Sequence, residues 1–131
     1  MKPDKIMNFL ENVAFNNPLV ANQRVSAALV LKGNIISVGT NQRKTHPFQN
    51  RYKKHPEALL FHAETSAIHN SLKQRLYTAE DVSKCTLYVC RTLKNRRWGL
   101  AKPCEGCLQA IVEYDIKKVY FTNDNGFLER L

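Results

Sequence analysis

The chain has 131 residues, 44% of them hydrophobic and 24% charged, with a formal net charge of +9 at pH 7. No apolar run is long enough to span a bilayer as a helix, which excludes a membrane-spanning helix, and the composition is ordinary for a globular protein. Residues 1–131 are expected to form a single domain whose core needs no disulfide.

Residues 4–15 place Ile6, Phe9, Leu10 and Val13 at helical spacing, and Asn16-Asn17-Pro18 ends that helix. The first 20 residues carry Asp4 and Glu11, so neither a secretory leader nor a membrane span is expected. The expected compartment is the cytoplasm. Val25 to Leu31 is apolar at nearly every position, the pattern of a strand covered on both faces. Lys32-Gly33-Asn34 is a tight-turn signal, and Ile35 to Val38 is its hairpin partner. Gly39 to Pro56 is polar, basic and without period, and reads as a long loop of the functional kind.

Residues 63–76 again have helical spacing, with Ala67, Ile68, Leu72 and Leu76 on one side. Cys85 to Arg91 is rich in strand formers. The odd spacing of Cys85 and Cys90 sends them to opposite faces of that strand, as core thiols. Thr92 to Pro103 reads as a second basic loop. Residues 104–114 form a helix with Leu108, Ile111 and Val112 facing inward, and Lys117 to Phe121 is a further strand. Gly126-Phe127-Leu128 offers a short edge strand. This order predicts an α/β fold, a mixed sheet with helices on both faces. Its second-half strand-helix-strand units should pair in parallel through right-handed crossovers.

Two short motifs carry the chemistry: His62-Ala63-Glu64 and Pro103-Cys104-Glu105-Gly106-Cys107. An imidazole and two thiols form a three-ligand zinc set that leaves the fourth position open for water. Cys104 and Cys107 share a face in the first turn of a helix, where the unpaired amides favour thiolates. Pro103 suits the start of that helix. On a regular helix His62 and Glu64 would point roughly 200° apart. They converge only if His62 stays outside the helix and the helix begins at Ala63 or just before it. Glu64 is then placed to move protons to and from a water.

A structural zinc site is the plainer reading, with a fourth ligand drawn from His55, His69, Cys85 or Cys90. Against it, His69 stands two turns from His62, roughly 10 Å away, too far to share one ion. His46 and His55 read as loop residues.

His-x-Glu followed by Pro-Cys-x-x-Cys resembles the signature of the zinc deaminases that act on nucleobases. From about Val25 to Phe121 the chain is similar to the cytidine and deoxycytidylate deaminase-like superfamily. The resemblance implies a three-layer α/β/α fold around a five-stranded mixed sheet. It implies Zn2+ as cofactor, held by His62, Cys104 and Cys107, with Glu64 as proton shuttle and the Ala63 amide binding the base. It matches Asn41 to an asparagine that touches the substrate sugar or its phosphate; a turn asparagine is the plainer reading. It also implies a homo-oligomer. A histidine in the first motif resembles the deoxycytidylate, tRNA adenosine, guanine, riboflavin-pathway and polynucleotide cytidine branches. Thr45-His46-Pro47 and the basic run to His55-Pro56-Glu57 look most like small, often phage-encoded deoxycytidylate-type deaminases.

The reading is therefore hydrolytic deamination of a cytosine nucleotide, dCMP to dUMP with release of ammonia. Lys44, Arg96 and Arg97 are candidates for a phosphate, and Trp98 for stacking on the base, for a subunit contact or for plain packing. The alternatives are a nucleic-acid deaminase acting on tRNA adenosine or single-stranded cytosine, another free-base or nucleoside deaminase of the same superfamily, and a noncatalytic zinc module. The net charge favours the first alternative; no row of interleaved aromatic and basic residues supports it.

Overall fold

The computed structural model describes residues 3–52 and 60–131. His55, Pro56 and Glu57, with Lys53 and Lys54 of the basic run, lie outside the described residues. Strand β1 (Arg24–Leu31) is buried at its six central positions, as its unbroken apolar run requires. Lys32 and Gly33 both take positive φ, 51° and 81°, the left-handed pair that a two-residue hairpin turn demands. The chain returns antiparallel as β2 (Asn34–Thr40). Strand β5 (Thr86–Thr92) pairs antiparallel with the other edge of β1 and parallel with β7 (Lys118–Thr122). Strand β8 (Leu128–Arg130) closes the path β2-β1-β5-β7-β8, five strands of a mixed sheet that a sixth joins off the path. The short β6 (Trp98–Gly99) pairs with the end of β5, inside the stretch expected to be loop.

Two layers of helix cover this sheet. Helix α1 (Pro3–Phe15) lays Ile6, Met7 and Leu10 on the face that carries Ala28, Val30, Tyr88 and Cys90. Helices α3 (Ala63–Lys73), α4 (Ala79–Ser83) and α5 (Glu105–Glu113) cover the opposite face, where Ala27, Leu29, Leu87 and Val89 point. Cys85 and Cys90 fall in the two different clusters, as their odd spacing requires. Burial pushes their thiols up to about 11 and about 12. Both are core residues.

Three expectations need correction. The Gly39–Pro56 segment holds β3 (Gln42–Thr45), paired with β4 (Leu60–Phe61), and the one-turn helix α2 (Pro47–Asn50) capped by His46. The third helix stops at Lys73 and Arg75 turns left-handed (φ 60°), so Leu76 swings out to 72% exposure. In α5, Ala110 and Ile111 take the inner face, and Val112, one step round the helix, is 76% exposed. Among the described residues no helix is long and apolar enough to cross a membrane.

A bulge decides how α3 sits on the sheet. Leu29 pairs with Ser37 and Val30 with Ile35, so Ile36 has no partner and the alternation of β2 inverts there. Ser37 and Gly39 consequently face α3. The Ser37 hydroxyl donates to the Ala67 carbonyl (2.6 Å), and Asn70 Nδ2 donates to the Val38 carbonyl (2.9 Å). A Cβ on Gly39 would stand 2.4 Å from Ala63 O and Ala67 N. Only glycine lets the two backbones approach this closely. Gly39→Ala should therefore cost about 1–3 kcal/mol of stability, read as a lowered urea midpoint at unchanged slope.

Candidate functional site

The two chemical motifs meet where α3 and α5 begin. His62 is the N-cap of α3 in extended conformation (φ −82°, ψ 157°), and the helix starts at Ala63. Its ring makes no capping bond and turns instead toward the thiols. Glu64, in the first turn, is buried. Cys104 is the N-cap of α5 (φ −72°, ψ 172°), and its sulfur accepts the Cys107 N–H at 3.5 Å. Pro103 therefore stands one position before the cap rather than inside the helix. Two helix N-termini converge, as the spacing of His62 and Glu64 requires.

His62 Nδ1 lies 3.3 Å from Cys107 Sγ and 3.4 Å from Cys104 Sγ. The three donor atoms all fall within 4.8 Å of one another. Zinc–nitrogen and zinc–sulfur bonds of about 2.0–2.3 Å in a tetrahedron set nitrogen–sulfur separations of about 3.5 Å. The donors thus stand at zinc spacing and are positioned to hold it. Among the described residues no other group of three such side chains comes together. His69 is elsewhere, packed 4.3 Å from the His46 ring and 5.5 Å from Phe48.

Sequence candidates divide sharply at the cleft beside these ligands. Its volume is about 270 Å³, and His62, Ala63, Glu64, Cys104 and Asn41 line it. Lys44, Arg96, Arg97 and Trp98 do not. Lys44 points to solvent from the exposed β3. Arg96 donates to Asn12 and lies 4.3 Å over the Phe15 ring, which binds it to α1. Arg97 is exposed. Trp98 donates to Glu11 Oε1 (3.1 Å) and packs with the α1 cluster, on the sheet face opposite the ligands. Its packing reading is the one this position fits.

Asn41 lines the cleft with its amide already occupied. Oδ1 accepts from Val25 N (3.0 Å) and Asn17 Nδ2 (2.9 Å); Nδ2 donates to Gln23 O (3.0 Å) and Val20 O (3.3 Å). It holds in place the turn that forms the cleft wall, in which Ala21 and Asn22 are left-handed (φ 51° and 63°). Two residues went unnoticed in the sequence. Lys102 is the one cation among the described lining residues. Its place beside Pro103-Cys104 was the available signal. Gln49, fully buried in α2, accepts the His62 N–H (3.1 Å), and nothing local in the sequence points to it.

The three donors hold their protons unequally. Cys104 is pulled down to about 3, first by the hydrogen bond from the Cys107 thiol, with His62 adding to it. Cys107 is pushed well above the ordinary thiol range by donating that bond, and then by burial. The bond to Cys104 raises His62, against the opposing effect of burial. Burial raises the Glu64 carboxyl. At neutral pH Cys104 is then a thiolate beside the Cys107 thiol. Zinc takes thiolates and neutral imidazole, so its uptake must expel the Cys107 proton and any proton on His62. The sign follows: affinity rises with pH, by about tenfold per unit for each proton released. Chelator competition in mildly acidic and mildly alkaline buffer checks it; pH-independent affinity would contradict this proton distribution.

The fold is shared with known deaminases. A cytidine deaminase from Burkholderia pseudomallei superposes with TM-score 0.70 at 19% identity, covering 100% of this chain and 92% of that one. The dCMP deaminase of cyanophage S-TIM5, in complex with dCMP and dUMP, gives TM-score 0.57 at 22% identity, over 96% and 89% of the two chains. The diaminohydroxyphosphoribosylaminopyrimidine deaminase/5-amino-6-(5-phosphoribosylamino)uracil reductase of Thermotoga maritima gives 0.51 at 28% identity, over 92% of this chain and 28% of that one. No curated protein matches the chain. The family model described as the cytidine and deoxycytidylate deaminase zinc-binding region matches residues 2–123. With that match over a His-Cys-Cys cluster at zinc spacing, the chain belongs to the zinc-dependent cytidine and deoxycytidylate deaminase family.

Proposed function

We propose that the chain hydrolyses the exocyclic amine of a cytosine mononucleotide, converting dCMP and water to dUMP and ammonia. The observation that carries this reading is a cleft of about 270 Å³ with His62, Cys104 and Glu64 in its wall and, among the described lining residues, a single Lys or Arg, Lys102, beside them. Phe61 is the one aromatic among the described lining residues, which is no stacking platform for a polynucleotide. The two hydrophobic clusters share one sheet, which supports reading residues 1–131 as one deaminase domain.

Zinc, when bound, supplies a Lewis acid that acidifies a water in the open fourth position. The chain supplies the rest. Ala63 is the first residue of α3, so its N–H has no acceptor within the helix and is free for a carbonyl of the base. Glu64 takes a proton as the water oxygen bonds to C4 of the ring and passes it to N3. It then carries the second proton to the amino nitrogen, which departs as ammonia and leaves uracil. Burial raises the Glu64 carboxyl toward the basicity that two-way transfer needs. Lys102 meets the phosphate.

Ammonia release from dCMP, deoxycytidine, CMP, cytosine, guanine and a tRNA anticodon stem-loop tests the substrate. Turnover confined to the stem-loop, with steep loss of binding in salt, would replace the mononucleotide reading by a nucleic-acid one. Glu64→Gln should keep zinc and lose about 10²–10⁴ in kcat. Activity within about tenfold of the unaltered protein would remove the shuttle role. Lys102→Ala should raise KM for dCMP about tenfold and leave deoxycytidine unchanged; equal effects on both would remove the phosphate contact.

A further inference from the structure

We propose that Gln49 is a positioning residue for the zinc centre, and that the segment 46–52 braces the two helix starts from which the ligands project. This rests on the zinc reading of His62, Cys104 and Cys107. The geometry of that site requires α3 to begin after His62 and nowhere else. An N-cap side chain usually fixes such a start by accepting an amide of the first turn. The His62 ring is turned to the sulfurs and makes no such bond. Gln49 does the work from outside the helix. Its Oε1 accepts the His62 N–H (3.1 Å) and the Thr65 hydroxyl, while that hydroxyl also faces the His62 carbonyl (3.2 Å). A glutamate at the third helical position normally accepts the N-cap amide; here a residue thirteen positions upstream does so.

The same segment reaches the other ligand helix. Gly106, between the two cysteines, packs so tightly on the Tyr52 backbone that a Cβ there would lie 2.0 Å from Tyr52 O. Arg51 pairs with Glu113 of α5 at 3.1 Å. One short stretch therefore touches α3 at its imidazole end and α5 between its thiols. Displacing it changes the nitrogen–sulfur separations. Gln49 itself is fully buried, and its Nε2 has no partner. The fold retains that orphaned donor along with the accepting oxygen.

The test is zinc affinity by chelator competition, with thermal unfolding of the metal-free proteins beside it. Gln49→Met fills the same space without the acceptor and should weaken zinc about 10- to 100-fold. Gln49→Glu restores an accepting oxygen and should recover most of that loss. Thr65→Val removes one of the two bonds and should weaken zinc in the same direction by less, a readout available even if Gln49→Met does not fold. Val82→Ala, fully buried in α4 and outside the site, should lower the unfolding temperature and leave zinc affinity unchanged. Equal zinc affinity in Gln49→Met, or in Thr65→Val where Gln49→Met does not fold, would overturn the proposal alone. So would equal losses in the Gln49 and Val82 variants. An unaltered protein that takes up no zinc would overturn the deaminase reading and the brace together.

Discussion

The structure depends on bringing two helix N-termini to within a few ångströms of a common point. Each such end carries partial positive charge on amides that have no helical partner. Two of them face to face repel unless anionic groups stand between. Cys104 supplies a thiolate there even without metal, since the Cys107 thiol and His62 both stabilise its charge. Glu64 is a second acidic group in the same small volume, and burial raises its carboxyl. Ligand identity and helix placement are thus one problem: the Cys104 charge that stands between the ends is stabilised by Cys107 and His62, which the convergence brings beside it.

Support for this arrangement comes from the sheet and from close backbone approaches. The bulge at Ile36 turns Ser37 and Gly39 toward α3, and the missing side chain of Gly39 lets the first turn of α3 settle on β2. Gly106 does the equivalent for α5 against Tyr52. Both glycines sit opposite backbone atoms, which cannot turn aside as a flexible side chain can. At these two contacts the approach of each ligand helix is limited by main chain, and the ligand side chains inherit it.

The parts of this molecule that were legible in the sequence are those whose signal is local. The unbroken apolar run of β1, the Lys32-Gly33 turn and the parity of Cys85 and Cys90 each follow from spacing along the chain, and each is found. The start of α3 was legible for a different reason: only one backbone geometry lets His62 and Glu64 meet. What escaped depends on partners distant in sequence. Helix α2 is one turn long, too short to show a period, and Gln49 is defined only by His62 and Thr65. The Ile36 bulge has no turn residue to announce it. Leu76 and Val112 fit an inward stripe on paper, but a left-handed residue ends one helix early and the inner face of the other is already filled.

Charge is the sharpest example of what spacing cannot give. Clustered cations show density along the chain, and direction is settled by neighbours such as Phe15 and Asn12, which take Arg96 away from the cleft. Of the excess that makes the chain +9, only Lys102 lines the cleft among the described residues. The other described cations stand outside the cleft, so they act on a ligand there through their field rather than by contact. Such a field draws an anionic ligand toward the protein and raises its encounter rate, and salt screens it over about 8–10 Å. In the reaction proposed above, recognition at the ring rests instead on the starts of the two helices: the Ala63 amide, Glu64 and the ligand triad. Attraction and discrimination are in this way carried by different residues, the first dispersed over the surface and the second confined to the starts of two helices.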